Sequence, residues 1–175
     1  MLPKLIILTA VLTAAVTGDL LRYRISNIVV VVGLATGFLL NFFTEGPGGL
    51  IGSLLGAILP VALLFVLFAL RMLGAGDIKL FCAVGAVMGA GFAAYAIVLS
   101  FLAGGVAAAA IMIARGNAGK RFAFLGTYLK TAFLTQSFDP YTDFENKNDG
   151  AKFHFSPAIA AGCGIQAILV LFKVL

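Results

Sequence analysis

Long apolar stretches, separated by short polar turns, constrain the fold of this chain more than any other feature. Of its 175 residues, 62% are hydrophobic and only 11% are charged, whereas a soluble domain carries roughly 25% charged residues. A helix needs about 20 apolar residues to cross a bilayer, so most of the chain is predicted to be helix within lipid. The stretches are continuous, which favours an all-α polytopic helix bundle over a membrane β-barrel.

The apolar stretches divide into about six predicted transmembrane helices, which form one membrane-embedded domain over residues 1–175. Between the fifth and sixth lies a long polar segment, about 115–156, expected to be a cytoplasmic loop. Its first half, GKRFAFLGTYLKTAFLTQSF, predicts an amphipathic helix, either in the membrane interface or packed on the bundle. The expected spans are 5–17 (extended by Leu20 and Leu21), 28–43, 50–70, 78–88, 92–114 and 157–175.

Basic residues gather on one side of this predicted bundle. If the six spans alternate across the bilayer, one side receives all of the following: Arg22, Arg24, Arg71, Lys79, Arg115, Lys120, Arg121, Lys130, Lys147 and Lys152. Only Lys4 and Lys173 fall on the other side, so the positive-inside rule makes the crowded side the cytoplasm. The net charge of +5 is then a topology signal, and no nucleic-acid partner is predicted. Residues 1–19 are also typical of a cleavable signal peptide, but the charge count favours a retained first helix.

Two acidic residues adjoin the apolar helices, Asp19 after the first predicted span and Asp77 before the fourth. Both fall at the predicted cytoplasmic ends and therefore at one depth. Two carboxylates that meet in a low-dielectric site cannot easily both ionise. Such a pair can work as in an aspartic protease, where one carboxylate takes a proton from water and the other, protonated, polarises the scissile carbonyl. Taken singly, each aspartate is also typical of an interfacial residue or a helix N-cap.

The segment around Asp77 reads GAGDIKL. Gly74 and Gly76 lack Cβ atoms, so the backbone can turn sharply there and approach another chain; a substrate strand that pairs with it is one hypothesis. Lys79 lies two residues after Asp77, where it would lower the pKa of the aspartate, contact a substrate, or extend to the membrane interface. No metal or cofactor site is predicted from the sequence.

Three segments together resemble one family of membrane proteases. GDLLRYRISN (18–27) and GAGDIKL (74–80) resemble the two aspartate motifs of bacterial type IV prepilin peptidases. FHFSPAIAAG (153–162) is similar to the start of their last helix. The resemblance implies that Asp19 and Asp77 are the catalytic pair. Ser26 stands where the family usually has proline, and both residue types suit a helix entrance.

The resemblance is greatest to the short branch that serves tight-adherence (Flp) pili. Longer members carry an N-terminal methyltransferase region with a four-cysteine zinc site, and no such segment is recognised here, which implies leader removal without N-methylation. The implied substrates are prepilins with a basic leader and an apolar helix. The implied location is the bacterial inner membrane, with several spans and an active site that faces the cytoplasm. The oligomeric state is left open.

Two other classes of function fit the same composition. A small transporter or channel subunit would use the aspartates as ion or proton ligands, and an inactive assembly factor would use neither. Carboxylates at one face of the membrane favour the peptidase, because transport sites lie near the midplane. Small residues such as Gly104 and Gly105 would permit close helix approach, either to a substrate helix or within the bundle.

Overall fold

The computed structural model describes residues 1–70, 72–114 and 154–172, and all regular structure in these ranges is α-helical. The described helices are α1 (Leu2–Arg22), α2 (Asn27–Ala69), α3 (Ala75–Met88), α4 (Ala90–Ala114) and α5 (Ser156–Leu171). The all-α prediction is therefore confirmed. The predicted amphipathic helix and nearly all of the polar loop lie outside the described residues.

Three of the described helices, α1, α2 and α4, are long and apolar enough to cross a membrane, and α5 is a shorter apolar helix. The six predicted spans do not appear as six helices, because the second and third are joined in the 43-residue α2. The 14 residues of α3 reach only about 21 Å, less than the hydrocarbon thickness of about 30 Å. That the chain crosses the membrane six times therefore stays a prediction.

A sharp bend divides α2 into a first arm (27–45) and a second arm (47–69). Gly46 has φ 67° and ψ −151°, a conformation that is essentially restricted to glycine. Pro47 follows, and proline suits the first turn of a new helical segment. The Nδ2 atom of Asn41 donates to Oγ of Ser53 at 2.7 Å, although a straight helix would separate these residues by about 18 Å. The two arms therefore fold back on each other.

The short helix α3 packs between the two arms and forms the centre of the bundle. Asn41 of the first arm donates to the carbonyl oxygens of Ala86 and Val87, at 2.9 and 3.1 Å. Gly56 of the second arm approaches Gly85 so closely that a Cβ on either glycine would overlap the other's backbone. This close approach is typical of membrane helix interfaces. Several α3 side chains are completely buried as a result: Leu80, Phe81, Ala83, Val84 and Ala86.

Contacts at the helix ends define the relative directions of the helices. Lys4 of α1 forms an ion pair with Glu45 at the bend of α2 (2.7 Å), so α1 runs antiparallel to the first arm. Lys79 near the start of α3 donates to Oδ1 of Asn27 at the start of α2 (3.1 Å). At the opposite end, Gly89 with φ 92° separates α3 from α4. The end where α1 finishes and α2, α3 and α5 begin is called the site end below.

Candidate active site

Asp19 lies in the last turn of α1, half-buried at the site end. The helix stops four residues later, where Tyr23 adopts a left-handed conformation (φ 51°) and its N–H donates to the backbone oxygen of Asp19 at 2.8 Å. The Asp19 carboxylate accepts a hydrogen bond from the hydroxyl of Ser156, with Oγ 2.6 Å from Oδ2. Hydrogen bonds thus hold both the backbone and the side chain of Asp19.

Asp77 lies in the first turn of α3, ahead of the apolar stretch that begins at Ile78. Gly74 is the N-cap residue, and its backbone N–H donates to the Asp77 carboxylate. An acidic side chain three residues after the N-cap commonly makes this bond. A Cβ on Gly74 would lie 3.1 Å from Oδ2 of Asp77, so glycine leaves the space that the carboxylate occupies.

The two predicted glycines differ in their surroundings. Gly74 has φ −74°, and Gly76 is part of the first helical turn, where a Cβ would meet Ile25 at an ordinary 3.5 Å. Neither residue has a positive φ, so these glycines provide space rather than a special turn. Their contact with a substrate strand stays a prediction.

Asp19 and Asp77 line one open pocket of about 860 Å³ at the site end. The structure thus brings together two carboxylates that are 58 positions apart in the sequence (77 minus 19). The other lining residues come from the α1–α2 turn and the start of α3: Arg22, Tyr23, Arg24, Ile25, Ser26, Asn27, Ile28, Gly74, Ala75, Gly76 and Lys79. All five predicted site residues therefore border the same pocket.

The electrostatics of this pocket make Asp77 a weaker acid than an exposed aspartate. Burial first, and then the neighbouring Asp19 carboxylate, raise the pKa of Asp77 to about 6, against the lowering effect of the Gly74 N–H. A nearby cation would lower this pKa, so Lys79 does not dominate the environment of Asp77. The ammonium group of Lys79 instead donates to Asn27, which links α3 to α2.

Comparison with known proteins establishes the family. A model of the Type IV leader peptidase family matches residues 6–109, which is more than half of the chain and includes both aspartates. The chain belongs to this family. It is therefore an aspartic-type prepilin peptidase, and the family places it in the inner membrane. Searches of curated proteins and of solved structures each found no significant match.

The peptidase also has site residues that sequence reasoning missed. Ser156 contacts Asp19, and the ring of His154 stacks on that of Tyr23 with centroids 4.4 Å apart. Both contacts join the entrance of α5 to the end of α1. Both residues lie in FHFSPAIAAG, the third segment that resembles the family, but that resemblance predicts a helix entrance and not what the entrance faces.

Ser26 is the N-cap of α2, but its side chain makes no capping hydrogen bond. Its φ of −67° is the value to which proline is restricted, so the peptidase backbone at this position suits the residue usual in the family. In the described part of the chain, no group of three or more His, Cys, Asp or Glu side chains is arranged to hold a metal ion.

Proposed function

We propose that this peptidase removes the basic leader from prepilins of the tight-adherence (Flp) class at the cytoplasmic face of the inner membrane. Water is the nucleophile, and Asp19 and Asp77 activate it. The observation that carries the proposal is that both carboxylates line one open pocket where α1 ends and α2 and α3 begin.

The proposed chemistry needs one ionised and one protonated carboxyl group. Asp77 has a pKa raised to about 6 by burial and by Asp19, which supports unequal protonation of the pair. The ionised group accepts a proton from water as the water oxygen bonds to the scissile carbonyl carbon. The protonated group donates to the carbonyl oxygen, so the negative charge that develops there is neutralised.

The surroundings of the pocket suit a substrate that is half in lipid. Ile28 borders the pocket and is 74% exposed, and Leu21 in the last turn of α1 is 81% exposed. In a membrane, these side chains face lipid or the apolar helix of a prepilin. A substrate helix packed beside them would present the peptide bond just outside the lipid to the two carboxylates. The Flp class is proposed from the resemblance of the chain to the short branch of the family.

The test is co-expression of the peptidase with an Flp-type prepilin and, separately, with a type IV prepilin of another class. We expect a single cleavage that releases the leader of the Flp-type substrate, detected by mass spectrometry of the new N-terminus. Preferred cleavage of the other prepilin would contradict the Flp assignment. No cleavage of either substrate, together with proton or ion flux in vesicles of the purified protein, would support the transporter hypothesis instead.

A further inference from the structure

Ser156 makes the most informative contact of the site beyond the two aspartates. Its side chain is completely buried, and its hydroxyl donates to Oδ2 of Asp19 at 2.6 Å. This is the short distance expected for an O–H donor bonded to an ionised carboxylate. The two residues are 137 positions apart, and Ser156 lies outside the family match at 6–109.

Packing of the α5 entrance holds Ser156 in this position. Phe155, the N-cap residue of α5, contacts the face of α4: its ring lies 5.3 Å from that of Phe101, and a Cβ on Gly104 would crowd it at 2.7 Å. Directly before Phe101 in the chain, Ser100 fits against Gly162, where no Cβ could be accommodated. The start of α5 is therefore fixed against α4, and the Ser156 hydroxyl has little freedom to leave Asp19.

The contact gives the two carboxylates different environments. A hydrogen bond donated to a carboxylate favours its charged form, and the positive end of the α5 dipole, at which Ser156 lies, adds to this effect. Asp77 also lies at a helix start and accepts the Gly74 N–H, but burial outweighs that bond. Asp19 is thus the carboxylate to which the buried Ser156 hydroxyl donates, at 2.6 Å.

We propose that Ser156 is a positioning residue that orients Asp19 and keeps it ionised, so that Asp19 is the base and Asp77 is the acid. This inference rests on the proposed function. Asp19 takes a proton from water as the C–O bond forms, and Asp77 gives its proton to the carbonyl oxygen. When the C–N bond breaks, Asp19 passes its proton to the leaving nitrogen, and Asp77 recovers a proton from the gem-diol.

Other charged or titratable groups surround Asp19 and are unchanged by substitution of Ser156. Arg22, Tyr23 and Arg24 follow it in the chain, and Asp77 and Lys79 face the pocket from α3. His154 approaches from the α5 entrance through its stack on Tyr23. The pocket residues from α2, namely Ser26, Asn27 and Ile28, carry no charge.

The test is the pH dependence of leader cleavage by purified Ser156→Ala in detergent. Activity at low pH ends when the base is protonated, so loss of the hydroxyl should move the midpoint of the acidic limb upward by about 1 to 2 pH units. The value of kcat should fall more than KM changes. Ser156→Thr, which retains a hydroxyl, should keep the midpoint near that of the wild type.

Ser53→Ala is the matched control, because Ser53 is also buried and its hydroxyl contacts Asn41 rather than Asp19. This control variant should have the wild-type pH dependence of leader cleavage, even if the yield of folded protein falls. A folded Ser156→Ala enzyme with the wild-type acidic limb, or with only the alkaline limb moved, would overturn the inference. Retained cleavage by Asp19→Asn would instead overturn the proposed function itself.

Discussion

Replacement of Asp19 or Asp77 by asparagine should lower the rate of leader cleavage by about 10⁴-fold or more. Asparagine retains the size of the side chain but can neither accept a proton from water nor supply one to the carbonyl oxygen. In the proposed mechanism the two carboxylates act as a unit, so the double variant should be no slower than either single variant. The measurement is the initial rate of prepilin cleavage by equal amounts of purified protein.

Glu45→Gln is the matched control for these two substitutions. Glu45 is also an acidic residue at the end of a helical segment, but it pairs with Lys4 at the end of the bundle away from the pocket. We expect the Glu45→Gln variant to cleave the prepilin at the wild-type rate. Substantial cleavage by Asp19→Asn or by Asp77→Asn would remove that residue from the catalytic pair.

Substitution of Gly56 by alanine should disrupt both the fold and the site. A Cβ at this position would overlap the backbone of Gly85, so the second arm of α2 and α3 must move apart. Overpacking of this kind costs about 1 to 3 kcal/mol in the free energy of unfolding. Since α3 carries Asp77, a displacement near 1 Å would also lower the cleavage rate by roughly 100-fold.

Gly52→Ala provides the comparison for Gly56→Ala, because Gly52 lies one turn earlier in the same arm and a Cβ there would meet no atom within 4 Å. Alanine is the better helix former, so this variant should be as stable as the wild type or slightly more so. Thermal unfolding in detergent and the cleavage rate are both measured. Equal behaviour of the two variants would contradict the close packing of Gly56 on Gly85.

The placement of the two aspartates could be anticipated from the sequence because it depends on local signals. Alternation of apolar stretches and the distribution of Lys and Arg put Asp19 and Asp77 at one end of the bundle, and the structure places both on one pocket. The bend at Gly46 also coincides with the predicted break between the second and third spans. The pattern predicted a break of several residues between these spans, whereas in the structure the helix is interrupted only at Gly46.

The contacts that hold the site together could not be predicted, because they join residues that are remote in sequence. Nothing in the sequence around Ser156 indicates that its hydroxyl faces Asp19, and in a chain with 21 glycines the pairing of Gly56 with Gly85 has no local signal. Gly104 and Gly105 illustrate the same limit. Gly104 packs on Phe155, whereas a Cβ on Gly105 would meet no atom within 4 Å.

The most direct test of the account is chemical cross-linking between the two site positions. Cysteines are introduced as Asp19→Cys and Asp77→Cys in a chain whose native Cys82 and Cys163 are replaced by alanine, and a short bifunctional methanethiosulfonate is added. Because both positions line one pocket, we expect an intramolecular link between the two peptides by mass spectrometry, and none in an otherwise identical Asp19→Cys/Glu45→Cys protein. Cysteines at 19 and 77 that each react with a monofunctional reagent but are never joined would contradict the central claim.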